Sequence, residues 1–202
     1  MSEFISDLEL IGDGQNYEYI CGVDEDGRGP LCGPVAAAAV IMPKGSSIEG
    51  VNDSKKLSEK KREELYERII REAVCYHICL IDNEEIDKIN ILNATLKAME
   101  QAINGLSQRA EFALIDGNQN RGITTPNKTV VKGDAKSYSI ACASILAKVS
   151  RDRLMAEYDS LYPQYGFLKH KGYGTKAHYE AIEKYGITPI HRKTFLKKLL
   201  EQ

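Results

Sequence analysis

The chain has 202 residues, of which 43% are hydrophobic, so it is long enough to bury one substantial core, and we expect a single domain over residues 1–202. No run of about 18 apolar residues is present to cross a bilayer, and the acidic start differs from a signal peptide, so a cytoplasmic protein without membrane attachment is expected. Five irregularly spaced cysteines do not resemble a disulfide framework and are expected to be reduced.

The net charge of -2 conceals two halves of opposite sign. Residues 1–120 hold 12 Lys+Arg against 22 Asp+Glu, whereas residues 121–202 hold 15 against 7. Solvated helices that happen to differ in charge would explain this asymmetry. A basic surface that binds a polyanion would explain it equally well, and charge alone does not decide between the two interpretations.

Strands and turns dominate the first part of the chain. Residues 17–25 predict a strand that becomes apolar and stops at consecutive acids. A Gly/Pro-rich turn follows, and residues 35–42 predict a second strand beside the first. Ser58 is placed to cap a helix with an apolar side, and residues 74–82 predict a return to strand.

Helices and short strands alternate through the rest of the chain. Apolar residues at helical spacing predict a helix from Leu92 that ends near Gly105. Two short apolar strands are predicted next, at residues 112–115 and 129–132. Further helices are predicted at residues 136–158, at 175–185 and from 194 onward.

This order of elements predicts an α/β fold. Strands followed by helical crossovers favour a partly parallel sheet, and the hairpin-like first strands make that sheet mixed. Chemistry in such sheets tends to collect at strand ends. Three of the predicted strands end on acids: Asp24 and Glu25, then Asp116, then Asp134. This coincidence is a strong functional signal.

Each of these acids also has an ordinary structural explanation. Asp116 precedes a glycine, as in an Asp-Gly turn, and Asp134 lies near a helix start, where the backbone dipole favours a negative charge. Four converging carboxylates are harder to explain this way, because they would repel one another without cations. Hard oxygen ligands suit Mg²⁺ or Mn²⁺, and two such ions about 3.5–4 Å apart can hydrolyse a phosphodiester. The carboxylates therefore indicate a metal-dependent nuclease.

Strand geometry limits how Asp24 and Glu25 can act together. Neighbouring side chains of a regular strand point to opposite faces of the sheet. We therefore expect the strand to end or twist at these residues, which Gly27 and Gly29 allow.

Six motifs occur in order over about residues 17–196. They are G-V-D-E-D-G-R-G-P-L-C-G-P-V, N-D-S-K-K-L-S, L-I-D-G-N, V-K-G-D-A-K-S-Y-S-I-A-C-A-S-I-L-A-K-V-S-R-D, H-K-G-Y-G-T and H-R-K-T-F. Together they resemble the motifs of bacterial ribonuclease HII. The resemblance implies a ribonuclease H-like fold, with a mixed central β-sheet flanked by helices and a C-terminal helical extension over about residues 160–202. It also implies cleavage of RNA in RNA-DNA hybrids, and nicking of duplex DNA on the 5′ side of a single ribonucleotide, with 3′-OH and 5′-phosphate ends.

Carried over motif by motif, the family's catalytic and metal-binding carboxylates fall on Asp24, Glu25, Asp116 and Asp134. The resemblance therefore implies Mn²⁺ or Mg²⁺ as cofactor, with two ions expected per site. These are the same four residues that the strand ends indicate.

Substrate contacts are also implied by the resemblance. Gly27, Arg28 and Gly29 match the family's G-R-G loop, which senses the 2′-OH, and Tyr173 matches the tyrosine that packs on the deoxyribose next to the ribonucleotide. Outside this motif context, Arg28 would be read as a surface residue or a carboxylate partner, and Tyr173 as a core residue.

Other charged residues are interpreted less specifically. Lys55 and Lys56 precede a helix and are expected to contact phosphates, although a plain charge run would be a solvated face. Lys148 and Asp152, four apart on a predicted helix, are expected to form a structural ion pair. No acid-base role is assigned to a histidine, because metal ions can generate the nucleophile without one.

The chain departs from the family pattern at three positions. Cys32 and Cys142 stand where alanine is typical and conserve volume approximately. Asp26 stands where a small residue is typical, and its charge is a larger change. We predict that Asp26 faces away from the metal ions.

Two alternatives differ from this assignment. Ribonuclease HIII shares the fold but usually has a long N-terminal extension and lacks the G-R-G loop, whereas here residues 1–16 precede the first predicted strand and the loop is intact. A non-catalytic module that binds hybrids would have no reason to keep four carboxylates in its groove. The partners implied are RNA-DNA hybrids and duplex DNA containing ribonucleotides, bound by a monomer. A sliding-clamp contact is possible for the family, but residues 194–197 and the tail carry no clear clamp motif.

Overall fold

Five strands form one mixed sheet in this computed structural model, which describes residues 4–201. The strands are β1 (Ile20–Asp26), β2 (Val35–Ile41), β3 (Cys75–Ile81), β4 (Phe112–Asp116) and β5 (Asn127–Val130). Their order across the sheet is β3-β2-β1-β4-β5. β1 pairs antiparallel with β2 and parallel with β4, while β2 pairs antiparallel with β3 and β4 parallel with β5. The predicted mixed, partly parallel sheet is confirmed.

Helices connect and cover these strands. Within residues 4–201 they are α1 (Asp7–Ile11), α2 (Glu59–Glu72), α3 (Asn83–Ile89), α4 (Ile91–Asn104), α5 (Gly133–Lys136), α6 (Tyr138–Leu161), α7 (Phe167–His170), α8 (Lys176–Tyr185) and α9 (Lys197–Leu200). Two 3₁₀ helices cover Ser54–Lys56 and Lys193–Leu196.

The sheet lies between two helical layers. On one face, Ala37 of β2 belongs to an apolar cluster with Met99 of α4. On the other face, Ala38 of β2 belongs to a cluster with Leu65 of α2 and Ile145 of α6. β2 is buried along its whole length, and its run of alanines lets helices approach from both sides. The apolar core therefore covers both faces of the sheet, and the strand ends remain available for a functional site.

The closest approach between the sheet and α6 occurs at Gly22 of β1. A Cβ atom at this position would overlap the main chain of Ser139 and Ile140. Main-chain atoms inside a helix cannot move aside as a side chain can, so only glycine fits here.

Helix ends follow the capping chemistry expected from the sequence. Ser58 Oγ accepts a hydrogen bond from Lys61 N at 3.2 Å, and α2 begins at the next residue. Gly105 directly follows α4. Thr175 Oγ1 accepts from His178 N at 3.3 Å at the start of α8. The predicted starts of α2 and α8 and the end of α4 are confirmed.

Three predicted boundaries were wrong. β1 does not stop at the acids but continues through Asp26, because all three acids pair with alanines of β2. The helix predicted from residue 136 begins at Tyr138, as α6, because Ser137 caps it by accepting a hydrogen bond from Ile140 N at 3.2 Å, and the separate helix α5 precedes it. The strand predicted at residues 129–132 begins earlier, at Asn127, and ends at Val130.

The sequence patterns did not predict three short helices. α1, α3 and α7 contain five, seven and four residues. Helices this short present at most two turns, so their apolar residues cannot establish a helical period.

The region after α6 packs on the loop that connects β1 and β2. Leu31 and Cys32 of that loop share an apolar cluster with Phe167 and Ile182. Main-chain bonds reinforce this contact, since Leu31 N donates to the carbonyl of Gly172 at 2.8 Å. The C-terminal region thus supports the chain immediately after the acids.

None of the helices within residues 4–201 combines the length and apolar character that a membrane span needs. The five cysteines are free thiols, which agrees with the expectation from their spacing.

We predict that Gly22→Ala lowers the free energy of unfolding by about 1–3 kcal/mol, because the added methyl group must displace the main chain of α6. Denaturant unfolding followed by circular dichroism measures the change. Gly174→Ala is the control, since its new Cβ would meet side-chain atoms of Tyr179 and Leu31 at 3.1–3.4 Å, which can shift. Equal losses in the two variants would contradict the close approach of β1 and α6.

Candidate active site

Acidic side chains gather where β1 and β4 end. These two strands run parallel, and their pairing ends with Val23 opposite Ile115. Asp24 and Asp116 are the next residues on the two strands, so they lie at the same edge of the sheet. Glu25 follows on β1, where β4 no longer pairs with the strand. Both acids of β1 therefore border the open end of β4.

α5 brings the fourth acid to this edge. Asp116 Oδ1 accepts a hydrogen bond from Gly133 N at 2.6 Å and a longer one from Asp134 N at 3.4 Å. These bonds tie the first turn of α5 to the end of β4. The four carboxylates singled out by the sequence, two on β1 and one each on β4 and α5, are thus brought together.

Burial and mutual repulsion disfavour the charged forms of these acids. Burial, followed by the charges of Glu25 and Asp116, raises the pKa of Asp24 well above its ordinary value. Burial raises the pKa of Glu25, and the charge of Asp116 adds to it. Burial and neighbouring negative charges also raise the pKa of Asp134. The cluster therefore holds negative charge that the protein alone does not fully compensate.

Two cations compensate part of this charge. Arg28 Nη1 lies 3.6 Å from Glu25 Oε1. Burial lowers the pKa of Lys55, but the charges of Asp24 and Asp134, with those of nearby acids, outweigh burial and raise it. Lys55 therefore faces the carboxylates.

Lys55 and Lys56 of the motif N-D-S-K-K have different surroundings. Asp53 caps the 3₁₀ helix Ser54–Lys56 by accepting a hydrogen bond from Lys55 N at 3.0 Å. Lys56 Nζ lies 3.9 Å from Asp53 Oδ2, and its side chain is 62% exposed. Of the two predicted phosphate contacts, Lys55 is near the acids and Lys56 points into solvent.

The G-R-G loop, consisting of Gly27, Arg28 and Gly29, lies beside the acids and against Tyr173. Gly27 has a φ of 93°, in the left-handed region, and a Cβ there would overlap the side chain of Arg151. A Cβ on Gly29 would lie 3.3 Å from Tyr173 Cε1. Tyr173 is 41% exposed, so it is a surface aromatic and not a core residue.

The side chains at this edge fit divalent cations. Carboxylate oxygens are the ligands that Mg²⁺ and Mn²⁺ prefer, and a cluster of buried acids with only partial compensation stabilises added positive charge. Elsewhere in the described chain, the donor atoms of Cys32, His178 and His191 lie within 4.8 Å of one another, but thiol and imidazole groups are not the oxygen ligands that Mg²⁺ prefers.

Comparison with known proteins identifies the family. The model of the family described as Ribonuclease HII matches residues 21–198. The chain belongs to the ribonuclease HII family.

Similar proteins agree with this assignment. Ribonuclease HII of Clostridioides difficile is 59% identical over 198 residues, which cover 98% of this chain and 78% of that protein. The ribonuclease H2 structure from Pyrococcus horikoshii has a TM-score of 0.75 and 28% identity, covering 91% of this chain and 97% of that one. A PCNA:RNase HII complex from Archaeoglobus fulgidus gives a TM-score of 0.73 and 27% identity, covering 86% and 93%.

Family membership fixes the general activity. The chain is a metal-dependent hydrolase of the ribonuclease H type, with the ribonuclease H-like fold that the motifs implied. Its substrates are RNA-DNA hybrids. The match to ribonuclease HII also sets aside the ribonuclease HIII alternative.

Two buried arginines support the site of this ribonuclease HII chain, and sequence reasoning missed both. Arg151 donates to the carbonyls of Pro34 at 2.9 Å, Lys171 at 2.9 Å and Cys32 at 3.1 Å. Arg192 donates to other carbonyls of the same β1–β2 connection and shares that of Pro34. Their position inside the motifs S-R-D and H-R-K-T-F was the available signal.

Asp26, the unexplained departure from the family pattern, joins an ion network with α6. Lys148 Nζ lies 3.7 Å from Asp26 Oδ2 and donates to Asp152 Oδ1 at 2.7 Å. Arg62 Nη2 lies 3.9 Å from Asp152 Oδ2. Burial raises the pKa of Asp26, with Lys148 opposing the shift. The predicted ion pair of Lys148 with Asp152 is confirmed, and the prediction that Asp26 faces away from the metal ions stays a prediction.

We predict that Asp24→Asn raises the metal-free free energy of unfolding at pH 7 by about 0.5–2 kcal/mol, the range common for single stabilising substitutions. A raised pKa means that the wild-type fold loses stability as the pH rises through that pKa, and the variant lacks this loss. Thermal unfolding in EDTA across a pH series tests both statements.

Asp13→Asn is the control for this measurement. Asp13 is exposed, and hydrogen bonds from Gln15 N and Tyr17 Oη lower its pKa, so removing its charge should not stabilise the fold. Stabilisation by Asp13→Asn alone, or none by Asp24→Asn, would contradict the charge repulsion at the site.

We predict that Asp26→Ala leaves cleavage largely intact, because the carboxylate is engaged with Lys148 and α6. Lys148→Met should instead lower the free energy of unfolding by about 3–5 kcal/mol, since it leaves the buried Asp26 carboxylate without its cation. Activity and denaturant unfolding are measured on both variants. A loss of cleavage in Asp26→Ala as large as that in Asp24→Asn would show that Asp26 acts in catalysis.

Proposed function

We propose that this ribonuclease HII nicks duplex DNA on the 5′ side of a single embedded ribonucleotide, as well as cleaving the RNA strand of longer hybrids. The observation that carries the proposal is the contact of the G-R-G loop with Tyr173 beside the four carboxylates. The loop offers main-chain groups and Arg28 to a 2′-OH, the group that distinguishes RNA from DNA. Tyr173 offers an exposed aromatic face for the neighbouring deoxyribose. This combination suits a junction between the two sugars.

In this proposal Asp24, Glu25, Asp116 and Asp134 hold two Mg²⁺ or Mn²⁺ ions. When bound, such ions lower the pKa of a water molecule and neutralise charge on the phosphate oxygens. The hydrogen bond from Gly133 N holds one oxygen of Asp116 in place.

The polarity of the products follows from the bond that breaks. Water attacks the phosphorus on the 5′ side of the ribonucleotide, and the bond to the 3′ oxygen of the preceding nucleotide breaks. The products therefore carry a 3′-OH and a 5′-phosphate. The 2′-OH is bound by the G-R-G loop and does not act as the nucleophile. Lys55 lies where it can contact a phosphate oxygen near the acids.

The charge of the second half supports binding of the duplex. Residues 121–202 hold 15 Lys+Arg against 7 Asp+Glu, and exposed lysines such as Lys169, Lys176 and Lys193 belong to this half. A surface of this sign attracts phosphates and gives salt-sensitive binding. We propose that the enzyme acts on this substrate as a cytoplasmic monomer, in the removal of ribonucleotides from DNA.

We predict that Asp116→Asn slows nicking of a duplex with one ribonucleotide by more than about 100-fold, beyond the usual cost of losing an outer partner of a metal site. The assay follows a labelled strand in Mg²⁺ and in Mn²⁺, with an all-RNA hybrid as second substrate. Asp82→Asn is the control, because Asp82 only caps α3 by accepting from Glu85 N. Wild-type nicking by Asp116→Asn would overturn the assignment. Hybrid binding in EDTA without cleavage after addition of Mn²⁺ would favour a non-catalytic binder.

A further inference from the structure

His191 and Arg192 are adjacent, fully buried residues whose side chains reach two different parts of the proposed substrate site. Arg192 Nη2 donates to the carbonyl of Gly27 at 2.6 Å, and Nη1 donates to that of Arg28 at 3.0 Å. The same guanidinium also donates to the carbonyls of Gly33 at 3.0 Å and Pro34 at 3.1 Å. Arg192 therefore holds the first two residues of the G-R-G loop and also the chain just before β2.

The acceptors that bind the two buried arginines, Arg151 and Arg192, are uncharged. The hydrogen bonds that the structure gives Arg151 and Arg192 within residues 4–201 go to main-chain carbonyls, with no carboxylate among the acceptors. Burial, followed by the charge of Arg151, lowers the pKa of Arg192. Burying two charges in this way costs free energy that bonds to neutral carbonyls only partly offset. The bonds of Arg192 do, however, hold the G-R-G loop in a fixed position.

His191 acts in the other direction, through His178. Thr188 N donates to His191 Nδ1 at 2.9 Å, so the proton of His191 lies on Nε2. His191 Nε2 then donates to His178 Nε2 at 3.1 Å. His178 carries its own proton on Nδ1 and donates it to the carbonyl of Tyr173 at 2.9 Å. The N–H of Thr188 at one end of this chain and the carbonyl of Tyr173 at the other end determine the tautomers of both histidines. Both rings are neutral in this assignment.

This tautomer assignment excludes a metal site at the same residues. The donor atoms of Cys32, His178 and His191 lie within 4.8 Å of one another, as in a metal-binding cluster. A metal on His191 Nε2 would require a neutral ring with its proton on Nδ1, which would face the N–H of Thr188. His178 and His191 are therefore links of a hydrogen-bonded chain, and they do not form a ligand set with Cys32.

We propose that His191 and Arg192 are positioning residues that set the distance between the G-R-G loop and Tyr173, and so determine the preference for an isolated ribonucleotide over continuous RNA. The inference rests on the proposed function. An isolated ribonucleotide needs the loop on its ribose and Tyr173 on the next deoxyribose at once. A continuous RNA strand offers the loop a 2′-OH at every position and offers Tyr173 no deoxyribose, so it depends less on the spacing.

The test compares kcat/KM for a duplex with one ribonucleotide and for an all-RNA hybrid. His191→Leu removes the donor to His178, and Arg192→Lys keeps the charge but loses the fork that binds several carbonyls. Each should lower the ratio of the two kcat/KM values by about tenfold, within the range of couplings between contacting residues. His191→Gln keeps an N–H in place of Nε2 and should restore most of the ratio.

Ile182→Ala is the control for general loosening. Ile182 belongs to the apolar cluster of this region but not to the hydrogen-bonded chain. Its melting temperature should fall while the ratio stays at the wild-type value. In a Tyr173→Ala background, His191→Leu should leave the ratio unchanged, because His191 acts through Tyr173. All variants are assayed below their melting temperatures. Arg192→Lys and His191→Gln are included because they are milder substitutions than His191→Leu.

The outcomes separate the two hypotheses. Equal loss on both substrates in His191→Leu and Arg192→Lys, or an undiminished effect of His191→Leu without Tyr173, would overturn the positioning role alone. A wild-type protein that cleaves the all-RNA hybrid but not the single ribonucleotide would overturn the proposed function and this inference with it.

Discussion

The repulsion among four carboxylates at one edge of the sheet is the constraint on which the rest of the structure depends. Parallel β1 and β4 end side by side, and α5 adds a further acid, so the fold concentrates negative charge where burial makes charge costly. Arg28 and Lys55 compensate only part of it. The apolar clusters on both faces of the sheet, and the close packing of α6 on Gly22, stabilise the fold against this repulsion.

A second constraint follows from the first. The chain leaving β1 must place the G-R-G loop next to these acids, yet a glycine-rich loop has little packing of its own. Arg192 supplies rigidity by binding the carbonyls of Gly27 and Arg28. Arg151 binds the carbonyls of Cys32 and Pro34 further along the same connection. In the proposed mode of binding, the C-terminal region is therefore part of the recognition site, because it also carries Tyr173 and the histidines behind it.

Much of this could be predicted from the sequence. The strand pattern and the acids at strand ends placed Asp24, Asp116 and Asp134 together, because parallel strands end at a common edge. The continuation of β1 through Asp26 could not be predicted, since pairing with alanines of β2 overrides the turn tendency of three acids. The roles of Arg151 and Arg192 were also hidden. Every residue has a main-chain carbonyl, so the sequence does not show which carbonyl a buried arginine will bind. By contrast, the ion pair of Lys148 with Asp152 could be predicted from the helical spacing of two opposite charges.

The bonds of Arg192 to the G-R-G loop join residues 164 and 165 positions apart in the chain. During synthesis from the N-terminus, all four acids have emerged once Asp134 has been made, long before residue 192 exists. Contacts of such long sequence separation form late in folding. In the proposed mechanism, a growing chain therefore contains the four carboxylates before Arg192 is available to hold the loop that binds the 2′-OH.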